Sequence, residues 1–250
     1  IYQCDWSSDV CSSDLATMQV NKQLLTPQER AMRFNYSVEK NLAAEIAHSY
    51  NLITKQIVDT YPDKFFAAAL LPLHDIDLAL AELDWVIKNN FNIVYIDYTN
   101  YDSSIRKNIA WSSVNRIDEF FKVCEDNNII IFMHFLMQHD IPFQIPEEIK
   151  PLNPDSMDWL EMSLYDLLTS GIFDRFPKLQ LVVTEGAQKA IGKVLHSLYR
   201  LNSSRTFKNK RPYLEYFKNN MFCTIDIEMK ESFNILMKYI RSEEHTSELQ

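Results

Sequence analysis

The sequence predicts an α/β fold built on a parallel sheet, and three observations carry that prediction. Short runs rich in β-branched and aromatic residues alternate with longer amphipathic stretches along the chain. Most of the short runs are nearly continuous in apolar residues, as strands are when helices cover one face and a packed interior lies on the other. The two longest connections, 99–115 and 137–156, both follow predicted strands, which is where α/β barrels place the loops of their active face.

The predicted strands are 18–24, 65–71, 92–97, 128–134, 179–184 and 221–225. Between the first two, 38–60 carries Leu42, Ile46, Ile53 and Ile57 at helical spacing and closes before Pro62. Asp75 is a suitable N-cap for a helix over 76–88, whose apolar stripe is Leu78, Leu80, Ala81, Leu83, Val86 and Ile87. Ser113 precedes a helix carrying Ile117, Phe120, Phe121 and Cys124. The amphipathic stretch 157–170 meets Gly171, a fitting C′ residue because glycine tolerates a left-handed backbone. Later helices are expected over 187–201 and 228–240, and no internal repeat, low-complexity tract or linker interrupts the pattern.

Both ends read differently from the middle. Residues 241–250 (RSEEHTSELQ) translate a common sequencing-library adapter, and 6–15 (WSSDVCSSDL) translate its reverse complement. Natural protein termini have no physical reason to be reverse complements, so 1–15 and 241–250 are expected to be adapter-derived and 16–240 to be the native part of one domain. Setting aside Asp5, Asp9, Asp14, Glu243, Glu244, Glu248 and Arg241 brings the formal charge from −9 to −4. A mildly acidic chain with scattered Lys and Arg argues against nucleic acid as a partner. Only Cys124 and Cys223 remain of the four cysteines, which reads as reduced thiols in a cytoplasmic protein. No apolar run approaches the roughly 20 residues that a membrane helix needs, so no membrane partner is expected.

His134 is the sharpest candidate for chemistry. It ends the run Ile129-Ile130-Ile131-Phe132-Met133, at the C-terminal mouth of a predicted strand. A neutral imidazole there can bind a divalent metal, and the plainer alternative is a histidine satisfied by a loop carbonyl. Glu185 follows Leu181-Val182-Val183-Thr184 at another strand end. A partly desolvated carboxylate in that place can act as acid or base, or it can cap the following helix. His139 in the loop after His134 is a candidate contact for a substrate carboxylate, and Tyr98 and Asn100 are candidate substrate contacts after the strand ending at Asp97. His74 reads as a solvated loop residue, His48 and His196 as helix-surface residues, and Arg175 as an anchor of its turn. There is no Gly-x-Ser-x-Gly, phosphate-loop or dinucleotide motif, and with three glycines in the chain a nucleotide-binding loop is not expected.

The segment 170–186, SGIFDRFPKLQLVVTEG, resembles the amidohydrolase-related family that includes aminocarboxymuconate-semialdehyde decarboxylase and γ-resorcylate decarboxylase. Tyr61-Pro62-Asp63-Lys64-Phe65, Leu71-Pro72-Leu73 and Ala79-x-Ala81-Glu82-Leu83 are similar to an earlier segment of that family, and Phe132-Met133-His134 to one of its strand ends. The resemblance implies a metal-dependent TIM (β/α)8 barrel, here incomplete and holding about strands two to seven. It implies a divalent metal, zinc or manganese, held by a pair on strand one, a histidine on strand five and an aspartate on strand eight. His134 matches the strand-five ligand; the strand-one pair is expected before residue 16 and the aspartate after 240. Glu185 stands where the decarboxylases often carry a catalytic histidine, so the implied reaction is either decarboxylation or hydrolysis of a C–O or C–N bond. A ligand-binding barrel without turnover is the reading of a different class. The expected partner is a small carboxylated or cyclic carbon compound, with a homo-oligomer of the intact parent left open. The fragment alone is expected to be inactive and, with two unpaired sheet edges, prone to aggregate.

Overall fold

The computed structural model describes residues 21–27, 38–97, 100–102, 107–134, 143–144, 158–184, 187–202 and 209–223. In chain order they form β1 (Gln23–Leu25), α1 (Lys40–Thr60), β2 (Phe65–Ala67), β3 (Ala69–Leu70), α2 (Ile76–Lys88), β4 (Ile93–Asp97), β5 (Asn100–Asp102) and β6 (Lys107–Ile109). A 3-10 turn (Trp111–Ser113) leads to α3 (Ile117–Asp126), β7 (Ile130–His134), β8 (Phe143–Gln144), α4 (Trp159–Thr169) and α5 (Ile172–Arg175). The series continues with β9 (Gln180–Val183), α6 (Ala187–Asn202), α7 (Tyr213–Asn220) and β10 (Met221–Cys223). Every predicted strand has a counterpart among the described residues; the helix expected over 228–240 lies outside them. No helix among the described residues is long and apolar enough to cross a membrane.

The chain divides into two compact units, 1–97 with 115–132, and 98–114 with 133–250. In the first, the run predicted as a single strand over 65–71 serves two neighbours. Its first half pairs in parallel with β1 (Gln23↔Phe65 to Leu25↔Ala67), and Ala69 and Leu70 pair with Val94 and Tyr95 of β4. Ala68 is the switch, still donating its N–H to Leu25 O at 2.9 Å. The strand order continues β3-β4-β7, and the stacking of Tyr95 on Phe132 (5.8 Å between centroids) puts those two side chains on one face.

The helix α1 forms where its periodicity predicts, but the face it buries is turned about a quarter turn from the predicted stripe, leaving Ile46 and Ile57 half-buried at its edge. Ala43, Ala47, Asn51 and Thr54 are buried, whereas Leu42 (43 % exposed) and Ile53 (48 %) lie outward. The inward residues are small because the side chain of Asn51 must reach the backbone of β3. Its amide donates to Leu70 O (2.9 Å) and its carbonyl accepts from Leu70 N (2.8 Å), so one side chain satisfies both polar groups of a buried strand residue. The same amide donates to Glu82 Oε1 (2.8 Å), and Glu82 in turn holds His48 Nδ1 at 3.0 Å. His48 thus lies at the helix surface, its side chain 40 % exposed, and is paired there with Glu82 and packed edge-on against Trp85.

Local signals mostly set the remaining boundaries. Asp75 caps α2 through Leu78 N (3.2 Å), as expected, although Ala81 of the predicted stripe is exposed and Glu82 takes a buried place. The four apolar residues expected on α3 are its buried residues, but Ser113 does not start it; Ser113 closes the 3-10 turn, and α3 begins after Arg116, whose φ is +60°. Cys124 and Cys223 are free thiols, both pushed up in pKa by burial.

In the second unit, α4 opens on a capping box between Asp158 and Glu161 and ends at Gly171, whose φ of +75° is the left-handed conformation expected of it. Gly171→Ala should cost about 1 kcal/mol from the backbone alone, since an added Cβ would meet Arg175 Nη1 only at 3.5 Å. A denaturant titration checks that value. Arg175 anchors the turn as expected, donating to Ser170 O at 3.0 Å. Asp174 accepts from Tyr216 Oη and from Lys210 N (2.8 Å), while Asn220 donates to Pro177 O (3.0 Å) and Leu179 O (2.9 Å). The motif SGIFDRFPKL is thus a polar clasp that holds α7 beside the start of β9.

Candidate active face

A parallel sheet brings the C-terminal ends of its strands to one edge, and His134 ends β7 there, 7 % exposed. Which face it occupies follows from register. Met221 packs among Leu164, Ile191 and Phe217 of the helices, so its side of β10 is the helix side. Its register partner Leu181 shares that side, as does Val183; Val182 and Phe222 alternate to the other, where Phe222 is 51 % exposed. Thr184 N donates to Met133 O at 3.0 Å, which sets Met133 level with Val183. Met133 thus faces the helices, and the next residue, His134, takes the face turned away from them. In a βα barrel that face is the interior.

Thr184 adds a second bond to the same carbonyl, from Oγ1 at 2.9 Å, so the end of β7 is held by a hydroxyl as well as by the ladder. Thr184 is itself buried, and the next residue, Glu185, lies outside the described residues, as do His139 and Tyr98. Asn100 opens β5, where its backbone is paired with Ile109. His196 is exposed, whereas His74 is half-buried, and burial lowers its pKa; the expectation of a solvated loop histidine is corrected on that point.

Two features escaped the sequence. Asp97 ends β4 as a buried carboxylate, and the signal was present as an acidic residue closing an apolar run. The connection 99–115, expected as loop, contains β5 and β6 as an antiparallel pair, and β6 also pairs in parallel with β8 (Asn108↔Phe143, Ile109↔Gln144). The segments following β4 and β7 are therefore joined in one small sheet.

His134 offers the donor type that a divalent metal requires, but no group of three or more His, Cys, Asp or Glu able to hold an ion occurs among the described residues. The described residues thus contain no complete metal centre.

No protein-family model matches the chain, and no curated protein sequence matches it significantly. Solved structures do match in fold. A 2,6-dihydroxybenzoate decarboxylase from Rhizobium superposes with a TM-score of 0.71 at 18 % identity, covering 92 % of this chain and 73 % of that one. A dihydroxybenzoic acid decarboxylase from Polaromonas, solved with manganese and the inhibitor 2-nitroresorcinol, gives 0.72 at 16 % identity, covering 92 % and 71 %. A 5-carboxyvanillate decarboxylase from Sphingomonas paucimobilis gives 0.66 at 17 % identity, covering 94 % and 69 %. The fold shared with these structures is the TIM-type barrel, present here in part.

Proposed function

We propose that the chain is the larger part of a metal-dependent carboxy-lyase of the amidohydrolase type, native over 16–240, that acts on small carboxylated or cyclic carbon compounds. The observation that carries this reading is His134, a buried imidazole at the C-terminal end of β7 on the face turned from the helices, in a fold shared with decarboxylases. His134 would be one ligand of a zinc or manganese ion, with the others coming from strands one and eight of the barrel. The ion, when bound, would polarise a substrate oxygen. Thr184 keeps the end of β7 in place through Met133 O. Glu185, following Thr184, would carry a proton to or from the substrate, which for a carboxylate requires a site that raises its pKa.

Hydrolysis is the second reading, because a glutamate replaces the histidine that the decarboxylases often carry after strand six. The complete parent separates the two: with a dihydroxybenzoate as probe, release of carbon dioxide supports the proposal. Incorporation of solvent oxygen from a lactone or amide probe, without carbon dioxide release, supports hydrolysis. Glu185→Gln should lower turnover about 10²- to 10⁴-fold with metal content unchanged; unchanged turnover would remove Glu185 from the mechanism.

A further inference from the structure

Asp166 lies fully buried on α4, and its carboxylate accepts from the backbone N–H of Ser112 (3.1 Å) and from the Ser112 hydroxyl. Ser112 is the middle residue of the 3-10 turn that closes the connection containing β5 and β6. The turn is closed by Ser113 N to Ala110 O (2.9 Å) and Val114 N to Trp111 O (3.1 Å), and Trp111, its first residue, is fully buried. The small β5-β6-β8 sheet is thus tied to the helices of its own unit through Trp111 and the Asp166–Ser112 pair.

Among the described residues no cation lies within ion-pair distance of Asp166, and the described charged groups on α5 and α6 are paired elsewhere or exposed. Lys193 on α6 holds Glu161 (2.7 Å), and His196 on α6 is exposed. On α5, Asp174 is bonded by Tyr216 and Lys210, and Arg175 donates to Ser170 O. Arg175 contributes a weak attraction at a distance, and the 3-10 turn carries no charge. A fully buried carboxylate with donors only from Ser112 and the Trp111 backbone, and no counter-ion, is still costly when ionised. The neutral acid can still accept the Ser112 N–H and share a proton with its hydroxyl.

We propose that Asp166 is the positioning residue that latches the β5-β6-β8 sheet to the helix layer of its unit, and that the latch tightens as pH falls. The proposal does not depend on the reaction assigned to the barrel. Burial, opposed by the Ser112 bonds and a backbone bond from Trp111, raises the carboxyl from 3.8 to about 6. The closed state therefore binds a proton more tightly than the open, solvated one. Its stabilisation is full in acid and is lost as pH rises through about 6.

Hydrogen exchange of the full chain at pH 5 and pH 7 tests this, with amides of α6 as the internal reference. Protection of Ser112, Ser113 and Val114, corrected for intrinsic rates, should be about tenfold higher at pH 5, and Asp166→Asn should abolish that difference. Equal protection at the two pH values, or an undiminished difference in the Asn variant, would overturn the latch. If the variant does not fold, carbon-13 titration of the wild-type Asp166 carboxyl decides: a midpoint near 6 supports the proposal and one near 4 refutes it.

Discussion

Replacing His134 by alanine in the complete parent should remove bound metal and lower turnover by a factor on the order of a thousand. Metal ions in such sites supply several kcal/mol of transition-state stabilisation, and each 1.36 kcal/mol is about tenfold in rate. The fold should survive, because His134 is the last residue of β7 and the ladder below it is held by Thr184 on Met133 O. Metal content by elemental analysis, turnover and a thermal melt are the three measurements. Loss of metal and rate with an unchanged melt is the expected pattern. A variant that keeps both its metal and its rate would sink the proposed role of His134.

Asn51→Ala should destabilise the first unit by roughly 3 to 5 kcal/mol, a large effect for a residue far from any proposed chemistry. The substitution strands two buried polar groups at once, the N–H and the C=O of Leu70, and leaves Glu82 Oε1 with only its longer contact to His48 Nδ1 (3.2 Å). Each costs about 1 to 3 kcal/mol when left unmade, and water reaches none of them readily because Asn51 is fully buried. Asn51→Asp should fare little better, since it keeps an acceptor for Leu70 N but loses both donated bonds and sets a second carboxylate beside Glu82. Denaturant midpoints of the two variants check this; a loss below about 1 kcal/mol in the alanine variant would mean that water or Glu82 takes over the amide's role.

The strands of this chain were legible because buried parallel strands advertise themselves as short, nearly unbroken apolar runs, and His134 was legible because it closes one of them. The helix α3 was equally plain, its four large apolar residues matching its buried face. The inward face of α1 was not, for a physical reason. Hydrophobic periodicity points to the largest apolar side chains, while this helix approaches its strands through Ala43, Ala47 and a hydrogen-bonding asparagine. A buried polar residue whose partner is backbone nineteen positions away leaves no mark in a local pattern. The strands β5, β6 and β8 are two or three residues long, too short to show alternation. The helix α7 could have been found: Tyr213, Tyr216, Phe217 and Asn220 repeat at helical spacing after Pro212, and all four are buried. Of the candidate site, one residue could be placed on its strand and face; the proton-carrying role of Glu185 rests on sequence alone.

The ladder between β6 and β8 ties together two connections that a barrel ordinarily varies one at a time. An insertion or deletion in either must preserve the pairing of Asn108 with Phe143 and of Ile109 with Gln144, or else break both connections together. Diversification of this face among related sequences should therefore proceed by paired changes in the two segments, and a graft that exchanges only one of them should fail where a graft of both succeeds.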